Sequence, residues 1–214
     1  MKKKYDVIIW DWNGTLVDDS WLAVEVMNTL LVKRGLKQID LDTYRNIFDF
    51  PVKEYYLKAG INFDNEPFEK IGLEFIRHYD ERHWELQLRN NALETLNHFS
   101  NSDKHQYVLS ARNQKQLGEE MDYFKIQHYF KKVSGLSHDY AQGKIELGQN
   151  LIKMENISID KAVLIGDTTH DFKVAQSLGI ECILIEDGHH SYERLKRCGV
   201  IVLKGLDELR SGII

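Results

Sequence analysis

Residues 7–19 read Val-Ile-Ile-Trp-Asp-Trp-Asn-Gly-Thr-Leu-Val-Asp-Asp. Four apolar residues, Val7–Trp10, have the length and character of a strand buried on both faces. They run directly into a carboxylate, Asp11, and Gly14-Thr15 then supplies a turn. An acid leaving a buried strand into a glycine turn stands at the mouth of a sheet, within reach of a ligand. Two residues on, Asn13 puts a neutral amide where a second acid would make a pair. An amide neither gives nor takes a proton at neutral pH, so position 13 bears directly on the chemistry.

Outward from this stretch, short apolar runs recur at Gln106–Leu109, Lys132–Ser134, Ala162–Ile165, Glu181–Ile185 and Val200–Leu203. Amphipathic segments lie between them, near 115–124, 144–155, 171–178 and 191–197. This alternation predicts an α/β fold, a doubly wound, Rossmann-like parallel sheet with its ligand site at the carboxyl ends of the strands. Residues 19–90 break the pattern: no strand is evident, and several helices are. The first is predicted over Trp21–Arg34, closed by Lys33-Arg34-Gly35. Another starts with Asp42 as its cap. Pro51 opens one that ends at Gly60, and Pro67 opens a long one through Phe75 and Tyr79. The expected division is a core of residues 1–17 and 91–214 with an all-helical cap, residues 18–90, inserted as a lid over the strand ends.

The 214 residues carry a net charge of −5, with 43% hydrophobic and 29% charged residues. Such a surface has no electrostatic footprint for nucleic acid, and Lys2-Lys3-Lys4 reads as a solvated tail. No apolar window is long enough to span a membrane. Asp6 and Asp11 interrupt the first apolar run, which argues against a signal peptide. Cys182 and Cys198 form no C-x-x-C pair, so a reducing cytoplasm is the expected setting.

Four segments place reactive side chains at predicted strand ends or helix starts. They are Asp11–Asp18 (DWNGTLVD), Ser110 in YVLSAR, Lys144 in AQGKIELG, and Asp167 with Asp171 in VLIGDTTHD. Each alone is common; the four in this order are specific. The set resembles the haloacid dehalogenase superfamily over essentially the whole chain. With FPVKEYYLKAG at 50–60, it looks like the phosphoglycolate-phosphatase-like branch with a helical cap. The resemblance implies a phosphatase in which Asp11 is the nucleophile, forming an aspartyl-phosphate. Ser110 and Lys144 would contact the phosphoryl oxygens, and Mg²⁺ would be held by Asp11, Asp167 and the backbone carbonyl of Asn13. Hard oxygen donors are what that ion prefers. Asp171 would orient Lys144 or a metal-bound water, or simply sit at a helix N-terminus. Asn13 and Arg112 are candidate substrate ligands, with a surface position the alternative for Arg112.

In that family a second aspartate, at the place of Asn13, protonates the leaving group and then activates water. Its loss removes general acid–base catalysis, typically worth about 10²–10⁴ in rate. A slow phosphatase, or one selective for good leaving groups, is therefore expected on a small phosphorylated metabolite. Two other readings remain at this point. One is a phosphonoacetaldehyde-type C–P hydrolase using Lys53 as an imine-forming lysine; the other is a weakly active relative that binds a phosphorylated ligand or a partner. His189-His190 reads as a loop rather than a metal site, and Tyr55, Tyr56 and Trp84 read mostly as core. No motif assigns an oligomeric state.

Overall fold

A computed structural model describes residues 5–137 and 143–214. Lys2-Lys3-Lys4, and Ala141-Gln142 just before Lys144, lie outside the described residues. The chain begins with β1 (Val7–Trp10) and a two-residue strand β2 (Val17–Asp18). Four helices follow: α1 (Ser20–Lys33), α2 (Leu41–Ile47), α3 (Val52–Lys58) and α4 (Phe68–Arg82). Then come β3 (Gln87–Leu88), α5 (Ala92–Ser100), β4 (His105–Asn113), α6 (Gln114–Phe124) and β5 (Lys132–Leu136). The chain closes with α7 (Lys144–Met154), β6 (Ala162–Gly166), α8 (Thr169–Leu178), β7 (Glu181–Ile185), α9 (Tyr192–Lys196) and β8 (Ile201–Leu203).

Six strands form one sheet in the order β5-β4-β1-β6-β7-β8, every pair parallel. This is the α/β, doubly wound sheet expected from the alternating runs. β1 lies at its centre, with Trp10 level with Val108 of β4 and Ile165 of β6. Because strand side chains alternate between faces, Ile8 and Trp10 enter one core and Val7 and Ile9 the other. The first core takes Leu96 and Phe99 of α5 and Leu117 and Met121 of α6. The second takes Leu151 of α7, Val174 and Leu178 of α8, and Leu195 of α9. Trp10 is wholly buried, and its indole N–H donates to Gln106 Oε1 at 3.0 Å. A buried tryptophan needs that partner.

Two expectations need correction, and a third is refined. Residues 19–90 do hold a strand: Gln87–Leu88 pairs antiparallel with Val17–Asp18. The cap of α2 is Asp40, whose carboxylate accepts from Thr43 N at 2.7 Å, while Asp42 sits in the first turn. Tyr55 and Tyr56 are core, but Trp84 is 46% exposed. No helix among the described residues is long and apolar enough to cross a membrane.

The helical segment is fastened over the carboxyl edge of the sheet by two arginines acting in opposite directions. Arg45 of α2 donates to the carbonyls of Asp187 (2.6 Å) and Gly188 (3.0 Å), in the loop after β7. Arg194 of α9 donates to the carbonyls of Arg45 and Phe48 and to the Asp49 carboxylate, the last at 2.8 Å. Phe50 packs at a tilt against His170 at the start of α8, ring centres 4.5 Å apart.

Candidate active site

The parallel register sets the ends of β1 and β6 beside the second half of β4, which places Asp11 and Asp167 at one edge with Ser110, a residue inside β4. Asp11 continues the ladder through its own N–H to the Ile165 carbonyl at 2.8 Å. The chain then turns through Gly14, at φ +74°. A side chain there would meet Asp167 Oδ2 at 2.3 Å and the His189 ring at 2.6 Å, so only glycine fits. Arg89 ties this turn to the loop after β7, donating to the carbonyls of Gly14 (2.6 Å) and Glu186 (2.8 Å).

Asp11, Asp167 and Asp171 each present a carboxylate oxygen, and all three oxygens lie within 4.8 Å of one another. All three residues are buried. Lys144 is the first residue of α7 and also buried; its ammonium donates to Asp11 at 2.5 Å and Asp171 at 2.6 Å. A helix N-terminus disfavours a cation, so these two carboxylates hold Lys144 there. Burial alone would lower the lysine pKa; the two acids overcome that and raise it. For Asp11 the balance goes the other way. Burial, then the negative charge of Asp171, push its carboxyl well above the usual range despite Lys144. Asp167 is likewise raised by burial, although His189 opposes that. Three carboxyl groups thus face one ammonium, so full ionisation is disfavoured without a further cation, and oxygen donors of this kind suit a hard one.

Asp171 does two things at once. As the third residue of α8 it completes a capping box with Thr168, accepting the Thr168 N–H at 3.0 Å while Thr168 Oγ1 accepts its own N–H. Its other oxygen holds Lys144. Burial would raise its pKa, but Lys144 and Thr168 bring it below the ordinary value. Thr15 Oγ1 donates to Asp167 at 2.9 Å, and the His189 backbone N–H donates to the same carboxylate at 2.6 Å. Ser110 is buried, and its oxygen accepts the Arg112 N–H at 3.0 Å, leaving the hydroxyl proton for donation.

The Asn13 side chain does not stand alone. Its amide donates to Asp19 Oδ2 and to Tyr79 Oη, each at 3.0 Å. Asp19, at the N-cap of α1, also faces His189 Nε2 at 3.1 Å. Burial works to raise the Asp19 pKa, but the His189 charge and the bonds from His189, Tyr79 and Asn13 lower it. The His189 ring responds in kind. Burial would strip its proton, yet Asp19 raises its pKa to about 9. On its other side, Nδ1 meets the Tyr44 hydroxyl of α2 at 2.7 Å.

Other expectations change here. Arg112 is held in place rather than on the surface: its guanidinium lies over the Tyr79 ring and is engaged by Glu120 (2.9 Å) and Asp80 (2.7 Å), two carboxylates that compete with any phosphate for it. Lys53 is exposed with its ammonium over Phe63, and none of its described contacts reaches the Asp11 cluster. That placement does not suit an imine-forming lysine. His189 and His190 do lie in a loop, but a buried one. Asp19, Tyr79, Tyr44 and Thr15 meet here without having been singled out by the sequence, and His189, read only as a loop residue, joins them. The sequence offered no signal for Asp19 beyond the doubled acid Asp18-Asp19 ahead of α1.

His190 Nδ1 accepts the Thr169 N–H at 3.0 Å, which requires a neutral ring. Burial, then the Arg194 charge, hold its pKa down to about 2. An unfolded histidine takes a proton below about 6.5 whereas this one does not. Its contribution is therefore intact above that pH and is lost as pH falls toward the folded value. His190→Asn keeps an acceptor near the Nδ1 position and cannot titrate. Thermal melts from pH 7.5 to 4.5 are expected to fall less steeply for the variant, by about 1.4 kcal/mol per pH unit below 6.5. Parallel melting curves would rule the assignment out.

The fold and the acid cluster define a class that the comparisons identify. The chain belongs to the haloacid dehalogenase-like hydrolases, whose family model matches residues 8–185. It is 25% identical over 199 residues to a 5'-nucleotidase of Pseudomonas aeruginosa, covering 90% of this chain and 88% of that one. It is 21% identical over 192 residues to a phosphoglycolate phosphatase of Pseudomonas syringae pv. tomato, covering 86% and 70%. A haloacid dehalogenase-like family protein from Streptococcus pneumoniae has the same fold, with a TM-score of 0.83 at 20% identity over 97% of both chains. Phosphatases thus stand among its relatives, and the family it belongs to is one of hydrolases.

Proposed function

We propose that this protein is a Mg²⁺-dependent phosphatase acting on a small phosphorylated metabolite through an aspartyl-phosphate at Asp11, and that Asn13 makes it selective for good leaving groups. The observation that carries the reading is the buried cluster of Asp11, Asp167 and Asp171 with Lys144 set against two of them. That donor set fits a hard divalent cation. Asp11, Asp167 and the Asn13 carbonyl would hold it, and Asp171 would act through Lys144. The bound ion would supply charge neutralisation at the phosphoryl oxygens.

The chain's own residues do the rest. Asp11 attacks phosphorus, and Lys144 and the Ser110 hydroxyl hold the charge that builds on the equatorial oxygens. Residues 18–90, as a helical cap, keep water from the site through the Arg45 and Arg194 contacts. At position 13 nothing protonates the departing oxygen. An aryl or acyl phosphate needs no such proton; an alkyl phosphate does. The relatives named 5'-nucleotidase and phosphoglycolate phosphatase support a small phosphorylated substrate.

The test is a panel of acyl, aryl and alkyl phosphates with added Mg²⁺ and after chelation. Turnover is expected with the metal and lost without it. The kcat/KM values are expected to fall by about 10² or more from aryl to alkyl esters. Equal rates for the two ester classes, or full activity after chelation, would contradict the reading.

A further inference from the structure

We infer that Asp19 is a positioning residue of the active site, and that positions 13 and 19 share a single negative charge, so that the amide at Asn13 is the partner the Asp19 carboxylate requires. The inference rests on the proposed function for its catalytic arm, but its structural arm is independent.

Every group around the Asp19 carboxylate can donate. Oδ1 accepts the Gly14 N–H at 2.7 Å and faces His189 Nε2 at 3.1 Å. Oδ2 accepts from the Asn13 amide at 3.0 Å and from the Tyr79 hydroxyl at 2.9 Å. Asp19 is 2% exposed, so water does not share this work. A second observation points the same way. Asp19 occupies the N-cap position of α1, where an aspartate ordinarily accepts from the first helical N–H groups. Its side chain makes no such bond. It gives up the cap and turns into the site, where it holds the Gly14 turn, the residue-13 side chain and the Tyr79 hydroxyl of α4.

An aspartate at position 13 would bring a second carboxylate oxygen to about the 3.0 Å that now separates the amide from Asp19. Two buried anions at that separation repel strongly. An amide there turns the same contact into a hydrogen bond. The contact is also reversible. With Asn at 19 and Asp at 13, the amide oxygen at 19 would still accept from Gly14 and His189. Its NH₂ would donate to the new carboxylate, and Tyr79 would redirect its proton to the same acceptor. The site therefore has one place for a carboxylate, with two addresses, and this chain uses the address removed from the leaving group. Replacing Asn13 alone cannot restore a second acid; exchanging the pair can.

The experiment is a double-mutant cycle read by melting temperature and by kcat/KM on one aryl and one alkyl phosphate. Asn13→Asp alone is expected to lower Tm by about 5 °C or more, and Asp19→Asn alone also to lower it. The double variant is expected to recover most of both losses. If Asn13→Asp does not fold, a folded double variant is the same rescue. Losses in the double variant that equal the sum of the two singles, or a double variant that also fails to fold, would overturn the pairing. The catalytic arm is read separately. The double variant is expected to raise the alkyl-to-aryl ratio of kcat/KM by about 10². Recovered stability without that gain upholds the shared charge and counts against the missing-acid reading of Asn13.

Discussion

Replacing Lys144 with methionine is expected to lower the melting temperature by about 10 °C and to cut kcat by about 10²–10³. Both effects follow from one geometry. The ammonium lies 2.5 Å from Asp11 and 2.6 Å from Asp171, and the lysine is only 3% exposed. Methionine has nearly the same volume and flexibility, so packing changes little. What is lost is the counter-charge. Breaking a buried ion pair by removing one partner typically costs about 3–5 kcal/mol, which for a chain of this size converts to about 2–4 °C per kcal/mol. The loss in kcat is the usual size for removing one group that stabilises charge in the transition state. The diagnostic is the response to Mg²⁺. A cation entering the acid cluster should restore part of the variant's Tm, and proportionately more than it raises the wild type. A Tm within about 2 °C of wild type, with no enhanced response to the ion, would mean that Lys144 does not compensate the cluster.

Asp11→Asn is expected to reverse that pattern, with activity abolished and the fold retained. The amide is isosteric, and its oxygen can still accept from Lys144. Its NH₂ can donate to Thr15 Oγ1, which lies 3.3 Å from Asp11 Oδ2. Asp11 is the acid that burial and Asp171 most disfavour as an anion. Removing its charge should leave Tm unchanged or slightly higher when no divalent ion is added. Loss of the attacking oxygen removes the covalent route altogether, and a fall in kcat/KM of about 10⁴ or more is expected. Stability kept while activity vanishes separates a nucleophile from a structural carboxylate. A strand-end acid that merely satisfied local groups would give the opposite result.

The core and the reactive corners were legible in the sequence because they are local. Strands buried on both faces must be short apolar runs, so Val7–Trp10 and Ala162–Ile165 declared themselves within a residue of their ends. Asp11, Ser110 and Asp167 followed, since each comes at or just past the end of such a run. The strand Gln87–Leu88 did not, because two residues carry no periodicity. What stayed hidden depends on partners distant in sequence. His189 reads as part of a polar loop until Tyr44 and Asp19, 145 and 170 residues away, are seen against its two ring nitrogens. Asp19 carries no mark of its own in the sequence, and in the structure the absence of a capping bond exposes its other work. Arg112 misled for the same reason: Asp80, its ligand on α4, is 32 residues distant. Spacing from Ser110 suggested a phosphate, while the fold supplied two carboxylates.

On the proposed reading, the first half of the reaction is equipped and the second half is not. Asp11 can accept a phosphoryl group from a good leaving group without a proton donor, but water must then be activated beside an amide. The most direct test is rapid-quench mass analysis of the wild-type protein mixed with Mg²⁺ and an aryl phosphate. A burst of phosphate on the Asp11 peptide is predicted, approaching one per chain before steady turnover, and absent in Asp11→Asn. Steady turnover with no phosphorylated intermediate, or with the phosphate on another residue, would contradict the account.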